Sequence, residues 1–381
     1  MKKTRGFGLF GILVIIIITA LVSSIATGVI MLNNNSIGLN GSSVDLSNDK
    51  DLQEFIEVYE TLITKYYEDI DKEGLLDAAK DGMSEYLGDK YTTYLDDAEY
   101  NKILDELSGT YSGIGISINN NNIVSVTPLS PADKAGILAG DIILTINGTN
   151  VQTMDSDSIG ALIKGNSSKM VNIQVSRNNE IYNYTLEKEE LINPTVTHAK
   201  LDGTSIGYIY IKSFSQNLGT QVSNALKDLE SKGINSLIID VRDNAGGYLS
   251  AAEETASLFL EENKIIYSLK TSNSKFTYSD ETEEKRTYQI VVLMNNNSAS
   301  ASEILAAALK DSYGATLVGS KSYGKGKVQQ VVDSFKFTSA EWLTPGGICI
   351  DGIGLSPDYN VIYGDTETYD TQINKAIELL Q

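Results

Sequence analysis

The chemistry this chain could perform gathers around one serine and one lysine. Ser300 stands in the run Ser298-Ala299-Ser300-Ala301-Ser302-Glu303, after a short apolar stretch at 290–294 and three asparagines. The length and β-branched content of that stretch read as a buried strand. Residues 304–309, Ile-Leu-Ala-Ala-Ala-Leu, read as a helix by propensity. A serine at such a strand-to-helix turn can lie beside helix N-terminal N–H groups, which stabilise an oxyanion. Its hydroxyl is a weak nucleophile without a base. Histidine is the usual base, and the chain holds one, His198, in a polar stretch. A neutral lysine is the other partner that serine uses. Lys325 sits between Gly324 and Gly326, after a second expected strand at 315–319. Backbone can pack closely around a stem flanked by glycines, and such packing desolvates the amine and lowers its pKa.

Read locally, the same residues have a plainer meaning. Ser300-x-x-Glu303 ahead of an apolar run spells a capping box. The local pattern by itself favours a structural N-cap at Ser300 and a solvated loop cation at Lys325.

The two stretches taken together, NNNSASASEI and GSKSYGKGKVQQ, with Lys325 25 residues after Ser300, resemble the carboxyl-terminal processing peptidases. These are tail-specific serine proteases of family S41 with a Ser–Lys dyad. The resemblance implies that Ser300 is the nucleophile, Lys325 the base, and Gln329 a support for the lysine. A spacing of four returns a side chain to the same face of a strand; without the resemblance, Gln329 reads as an exposed polar strand residue. Asp240-Val241-Arg242-Asp243-Asn244-Ala245-Gly246-Gly247 is similar to the family's D-x-R-x-N-x-G-G stretch. Glycines there let N–H groups approach an oxyanion with no Cβ in the way. The resemblance implies one donor from the pair Gly246 and Gly247, with the choice left open, and a second from Ala301 N–H. Taken alone, the stretch reads as a plain strand–helix turn.

Residues 130–151, SPADKAGILAGDIILTINGTNV, resemble a PDZ domain. Such domains add a peptide strand to a sheet edge and capture its terminal carboxylate with backbone N–H groups. The matching loop is Tyr111-Ser112-Gly113-Ile114-Gly115. In Ile163-Lys164-Gly165 a lysine stands where family members often carry arginine linked to coupling with the protease; lysine cannot make a bidentate contact. Residues 87–95 are similar to a signature, L-x-D-x-x-T-x-Y-L, that precedes the binding domain, and Trp342 occupies a position where tyrosine is commoner. The resemblance covers residues 51–381.

These sites need elements to hold them. Residues 1–6 carry Lys2, Lys3 and Arg5, and residues 7–32 carry no charge. As a helix that run would be about 39 Å long, enough to span a bilayer, and longer than a secretory signal's apolar region. It reads as an uncleaved single-pass anchor in a bacterial cell membrane, basic end inside and catalytic portion outside. Small residues at 23–27 leave cleavage there open. Residues 33–50 read as a flexible linker. Residues 51–108 read as a helical segment, with Gly82-Met83 and 87–95 as interruptions. Residues 109–190 read as the mostly β PDZ domain, and 191–381 as an α/β protease core, in which strands alternate with helices. The expected fold is thus α/β and multidomain.

Composition narrows the class. A hydrophobic fraction of 41% suffices for globular cores, and a net charge of −20 argues against nucleic acid as a partner. The single cysteine, Cys349, excludes an internal disulfide, and the single histidine excludes HExxH zinc chemistry. No metal or cofactor is expected. The expected partners are protein substrates with free C-termini and, through the N-terminal helix, the membrane; a homo-oligomer is left open. Two other classes stand beside this reading. One is an inactive PDZ-based binding protein. The other is a penicillin-binding-type acyl enzyme, because Ser322-Tyr323-Gly324-Lys325 spells S-x-x-K. That motif needs a helical turn, which Gly324 and Gly326 disfavour, and its companion motifs are absent.

Overall fold

The computed structural model describes residues 49–381, apart from 166, 167, 284, 333 and 367. The expected basic end, the anchor at 7–32 and nearly all of the linker lie outside the described residues. Among the described residues no helix is long and apolar enough to cross a membrane. The chain divides into two units.

One unit combines residues up to Leu95 with Tyr267–Ser279 and Gly326–Asp351. Its helices are Lys50–Lys65, capped by Asp49, and Lys72–Tyr86, capped by Asp71. The expected interruption at Gly82-Met83 does not occur: the second helix runs through both residues. Gly82 has open space around the position of a Cβ, so no packing demand turns the chain there. The break falls instead at 66–71, ahead of the Asp71 cap. The unit's sheet has five strands. Thr93–Tyr94, Phe335–Leu343, Ile265–Lys270 and Lys275–Ser279 follow one another, and Lys327–Val332 also pairs with Phe335–Leu343. Trp342 is buried in it.

The other unit comprises Asp96–Ile266, Asp280–Lys325 and Gly352–Gln381. Its central sheet runs in the order Val196–Lys200, Ile206–Ile211, Ser236–Asp240, Gln289–Met294, Thr316–Gly319, Tyr359–Asn360. The first pair is antiparallel and the remaining four pairs are parallel. Every residue of Ser236–Asp240 is buried, as a strand covered on both faces requires. Helix Thr371–Leu380 packs one face through Ala376 against Ile206, Ile238, Val291, Leu293 and Val318. Leu218–Ser231, Leu249–Ser257 and Ala301–Ala308 pack side by side, and Leu229 of the first lies under Gly207. Three loops therefore leave the carboxyl edge of neighbouring parallel strands: residues 241–248, 295–300 and 320–325.

The same unit carries a second sheet, ordered Ile116–Asn119, Asn122–Val126, Ile142–Ile146, Met170–Arg177, Glu180–Glu187. Its core is built from Ile114, Ile123, Ile143, Ile146, Val171 and Val175, all buried, with Ile159 and Ile163 of helix Ser156–Lys164. Asn147 (φ 51°) and Gly148 (φ 82°) make the tight turn that the Asn-Gly pair predicts. Thr110–Gly113 pairs with Glu189–Ile192 where the chain enters and leaves this region.

Candidate active site

Strand Gln289–Met294 delivers its chain into a turn held from within. Ser298, fully buried, donates from Oγ to Val241 O (2.7 Å) and accepts from Asn295 N–H (2.9 Å). Ala299 N–H and Ser302 Oγ both donate to Asn244 O, at 3.0 and 2.8 Å. Between these anchors Ser300 adopts φ 56° and ψ −118°, then helix Ala301–Ala308 begins. A side chain at that φ is strained, and the turn persists because its neighbours over-determine it. A sharp strand–turn–helix of this kind lifts a serine Oγ out of the sheet edge. Ser300 is half-buried, whereas Ala301, Ser302 and Glu303 are buried.

The plain N-cap reading of Ser300 meets a different geometry. An N-cap residue normally has extended backbone, and Ser300 does not. Ser300 N–H donates to Glu303 Oε2 (2.8 Å), the reverse arm of a capping box. Its hydroxyl lies near Glu303 N–H without making a capping hydrogen bond, and Glu303 N–H donates to Ser300 O instead (2.8 Å).

Glu303 is the residue that sequence reading missed. It is 1% exposed. Oε1 accepts from Ser322 Oγ (2.5 Å) and Gly324 N–H (2.7 Å). Oε2 accepts from Ser300 N–H (2.8 Å) and Lys325 N–H (2.9 Å). Four donors fill the lone-pair positions of one carboxylate, and hydrogen bonds to a charged acceptor are the stronger kind. The serine turn and the lysine loop thus share a single oxygen atom. The S-x-x-E spacing was the only sequence signal for Glu303, and it named one of the four partners.

The lysine loop is fixed from its other side too. Ser322 N–H donates to Leu355 O (3.1 Å), Leu355 N–H donates to Ser322 Oγ (2.7 Å), and Tyr323 N–H donates to Ser298 O (3.0 Å). Lys325 is half-buried. The loop is not helical, and the buried Ser322 hydroxyl both donates and accepts. Ser322 is therefore engaged as a structural bridge, which removes the S-x-x-K reading.

Asn244, fully buried, donates from Nδ2 to Ile211 O (2.7 Å) and accepts Gly246 N–H on Oδ1 (2.8 Å). Gly246 N–H is therefore committed. Among the described residues, Gly247 N–H and Ala301 N–H have no acceptor. Gly246 (φ 104°) backs onto the serine turn so closely that a Cβ would stand 2.8 Å from Ala299 O and 3.0 Å from Ala301 N. Glycine is required there for both reasons.

Gln329 lies on strand Lys327–Val332 in the first unit, half-buried, with Nε2 donating to Thr338 Oγ1 (3.4 Å). His198 lies on strand Val196–Lys200, its Nε2 2.9 Å from Asp228 Oδ2 of helix Leu218–Ser231.

The residues Tyr111, Ser112, Gly113, Ile114 and Gly115 line a groove of about 120 Å³. Its other walls are strand Ile116–Asn119, which ends its sheet, and helix Ser156–Lys164. The carbonyls of Ile114 and Gly115 accept from Ala132 and Thr127 N–H, at 2.9 and 2.8 Å. The N–H groups of Ile114 and Gly115 have no acceptor among the described residues. Carbonyls turned inward and N–H groups left over suit an anion at the head of an open sheet edge.

Comparison with known proteins agrees with both regions. The family model of Peptidase family S41 matches residues 205–361, a PDZ domain matches 123–177, and the activating protease CtpB N-terminal domain matches 23–99. The carboxy-terminal processing protease CtpB of Bacillus subtilis is 34% identical over 330 residues, covering 83% of this chain and 69% of that protein. CtpA of the same organism is 34% identical over 354 residues, covering 90% and 75%. A probable CtpA-like serine protease of Staphylococcus aureus (strain COL) is 32% identical over 368 residues, covering 93% and 72%. On its sequence relatives and its domains, the chain belongs to the carboxy-terminal processing proteases, serine-type peptidases of family S41 that carry a PDZ domain.

Proposed function

We propose that the protein is a membrane-anchored endopeptidase that cuts near the C-termini of other proteins by a Ser300–Lys325 dyad. The observation that carries this reading is the Glu303 carboxylate, which holds Ser300 N–H and Lys325 N–H on one oxygen. Neutral Lys325 takes the proton as Ser300 Oγ attacks the scissile carbonyl. The oxyanion forms against Gly247 N–H and Ala301 N–H. As the C–N bond breaks, the lysine ammonium returns its proton to the leaving amine. Water, deprotonated by the same lysine, then attacks the ester, and Ser300 leaves with the proton. The groove at 111–115 takes the free carboxylate of the substrate tail, and residues 7–32 anchor the catalytic portion outside the cell membrane.

Proteomics of protein C-termini in cells carrying the native chain or Ser300→Ala tests the activity. Tails should be shortened only with the native chain; identical C-termini in the two would overturn the reading. Protease added to intact spheroplasts should digest residues 51–381, and protection of that portion would overturn the topology.

A further inference from the structure

The loops that follow strands Ser236–Asp240 and Gln289–Met294 are tied together at two levels. The inner tie is buried: Asn244 O takes Ala299 N–H and Ser302 Oγ. The outer tie stands one residue earlier, at Asp243. Asp243 Oδ1 accepts from Asn297 Nδ2 (2.7 Å) and Asn295 Nδ2 (2.9 Å), and Asp243 N–H donates to Asn295 Oδ1 (3.0 Å). Asn297 N–H donates to the same Asn295 oxygen (3.0 Å). Two backbone donors on that oxygen fix which way the Asn295 amide faces, and its NH₂ group is left to the Asp243 carboxylate. The Asn297 and Asn295 amides outweigh burial and hold the Asp243 carboxyl below its ordinary value, so it is ionised at neutral pH.

Three features set this tie apart from ordinary loop chemistry. Asp243 has φ 58°, in the left-handed region that disfavours a side chain. An aspartate tolerated there commonly hydrogen-bonds its own loop. Here, among the described residues, both hydrogen bonds to the carboxylate come from the serine loop. Asp243 and Asn297 are also exposed. Water can replace a hydrogen bond at an exposed site, so this tie contributes little to global stability. What water cannot supply is a fixed distance between the loops.

That distance matters to two N–H groups. Gly247 lies four residues after Asp243, and Ala301 lies four residues after Asn297. Each loop therefore carries one of them, and two donors on different loops converge on one oxygen only if the loops keep their spacing.

We infer that Asp243 is a positioning residue for the reaction: through Asn295 and Asn297 it sets the separation of the Gly247 and Ala301 N–H groups. This rests on the proposed reading of those groups as the oxyanion donors at Ser300. Asp243 touches no reacting atom. It holds the two loops at their entrances, and the tie at Asn244 holds them further in.

The test compares full-length variants on a fluorogenic peptide with a free tail, and with a peptide boronic acid whose tetrahedral adduct on Ser300 mimics the intermediate. Asp243→Gly keeps the backbone N–H, relieves the left-handed strain and removes the carboxylate. It should lower kcat about tenfold with KM unchanged, since a misplacement of about 1 Å costs roughly 100-fold. Boronate affinity should fall by the same factor, while the melting temperature changes little. Asp243→Asn keeps an oxygen for both amides and should bring kcat back to within about threefold of the native chain. Asn297→Ala leaves the Asp243 backbone alone and carries the test if Asp243→Gly does not fold. It should lower kcat about fivefold, and it should add nothing further in the Asp243→Gly chain. Native kcat in Asp243→Gly or Asn297→Ala, a raised KM in place of a lower kcat, an Asp243→Asn chain as slow as Asp243→Gly, or a loss that follows the melting temperature across the variants overturns the inference alone. If the native chain cleaves no peptide and a serine-reactive phosphonate leaves Ser300 unlabelled, the reading of the site falls and the inference falls with it.

Discussion

The loops around Ser300 and the groove at residues 111–115 treat their backbone polar groups in opposite ways. Around Ser300 nearly every donor is spoken for. Ser298, Ala299, Ser302, Tyr323, Gly324 and Lys325 each give a hydrogen bond to a fixed partner, and Glu303 collects four. Gly247 N–H and Ala301 N–H, beside Ser300, have no acceptor among the described residues, and they are the donors proposed for the oxyanion. In the groove the situation is reversed. Strand Ile116–Asn119 ends its sheet, and the N–H groups of Ile114 and Gly115 have no acceptor among the described residues. Catalysis gains from donors that need no reorganisation when the transition state forms. Recognition of many tails gains from groups the protein leaves for the partner to complete.

The largest effects should come from the catalytic side. Lys325→Ala and Lys325→Arg should each lower peptide hydrolysis by about 10⁴-fold, with circular dichroism unchanged, because arginine stays charged and cannot accept the proton. His198→Ala should keep most activity. An inactive but folded His198→Ala beside an active Lys325→Ala would overturn the dyad. Activity of the native chain should rise with pH as the lysine amine loses its proton.

Glu303→Gln tests the shared oxygen. It keeps the shape but turns an NH₂ group toward donors, so the two loops should separate slightly. A misplacement on the order of 1 Å costs about 100-fold in rate. We expect a fall of that size in kcat with KM for free-carboxylate tails little changed. A variant with native kcat would mean that the clasp does not align the dyad.

On the groove side, amidating a substrate tail should weaken binding by about tenfold, roughly one charge-assisted hydrogen bond, with hydrolysis of saturating peptide less affected. Equal cleavage of free and amidated tails at low concentration would remove the groove from the mechanism.

The smallest effect concerns the domain that carries the groove. Asp141, 1% exposed, is held by Arg177 through Nε (2.6 Å) and Nη2 (2.7 Å). Burial pushes the Asp141 carboxyl up, but Arg177 and Leu138 N–H outweigh it and hold the carboxyl below its ordinary value. A carboxyl depressed in the folded state stabilises fully above its unfolded value, near 4, and loses that contribution as pH falls through the folded one. The urea midpoint of the native chain should therefore drop on going from pH 7 to pH 3, by more than that of Asp141→Asn. Equal drops in the two proteins would show that the pair contributes nothing.

Much of the fold was legible because its signals are local. The buried run before Ser300, the Asn147-Gly148 turn and the proline-started helix at Pro131 all depend on residues within a few positions. The interruption placed at Gly82 failed because glycine lowers helix propensity without ending a helix whose neighbours leave it room.

By itself the sequence determined the family, the alternation of strands and helices, and the serine, lysine and glycine-rich segments that form the three loops. These follow from residue type and short spacing, which act on the chain before it packs. Only the tertiary structure decided the rest. Glu303 gathers donors 19, 21 and 22 residues away. Asn244 takes Gly246 N–H and so leaves Gly247's. Residues 267–279 and 326–351 join the N-terminal helices in one unit, although they lie far apart in the chain. Each outcome depends on which groups meet when distant segments pack. A buried donor or acceptor must then find a partner wherever the fold has put one.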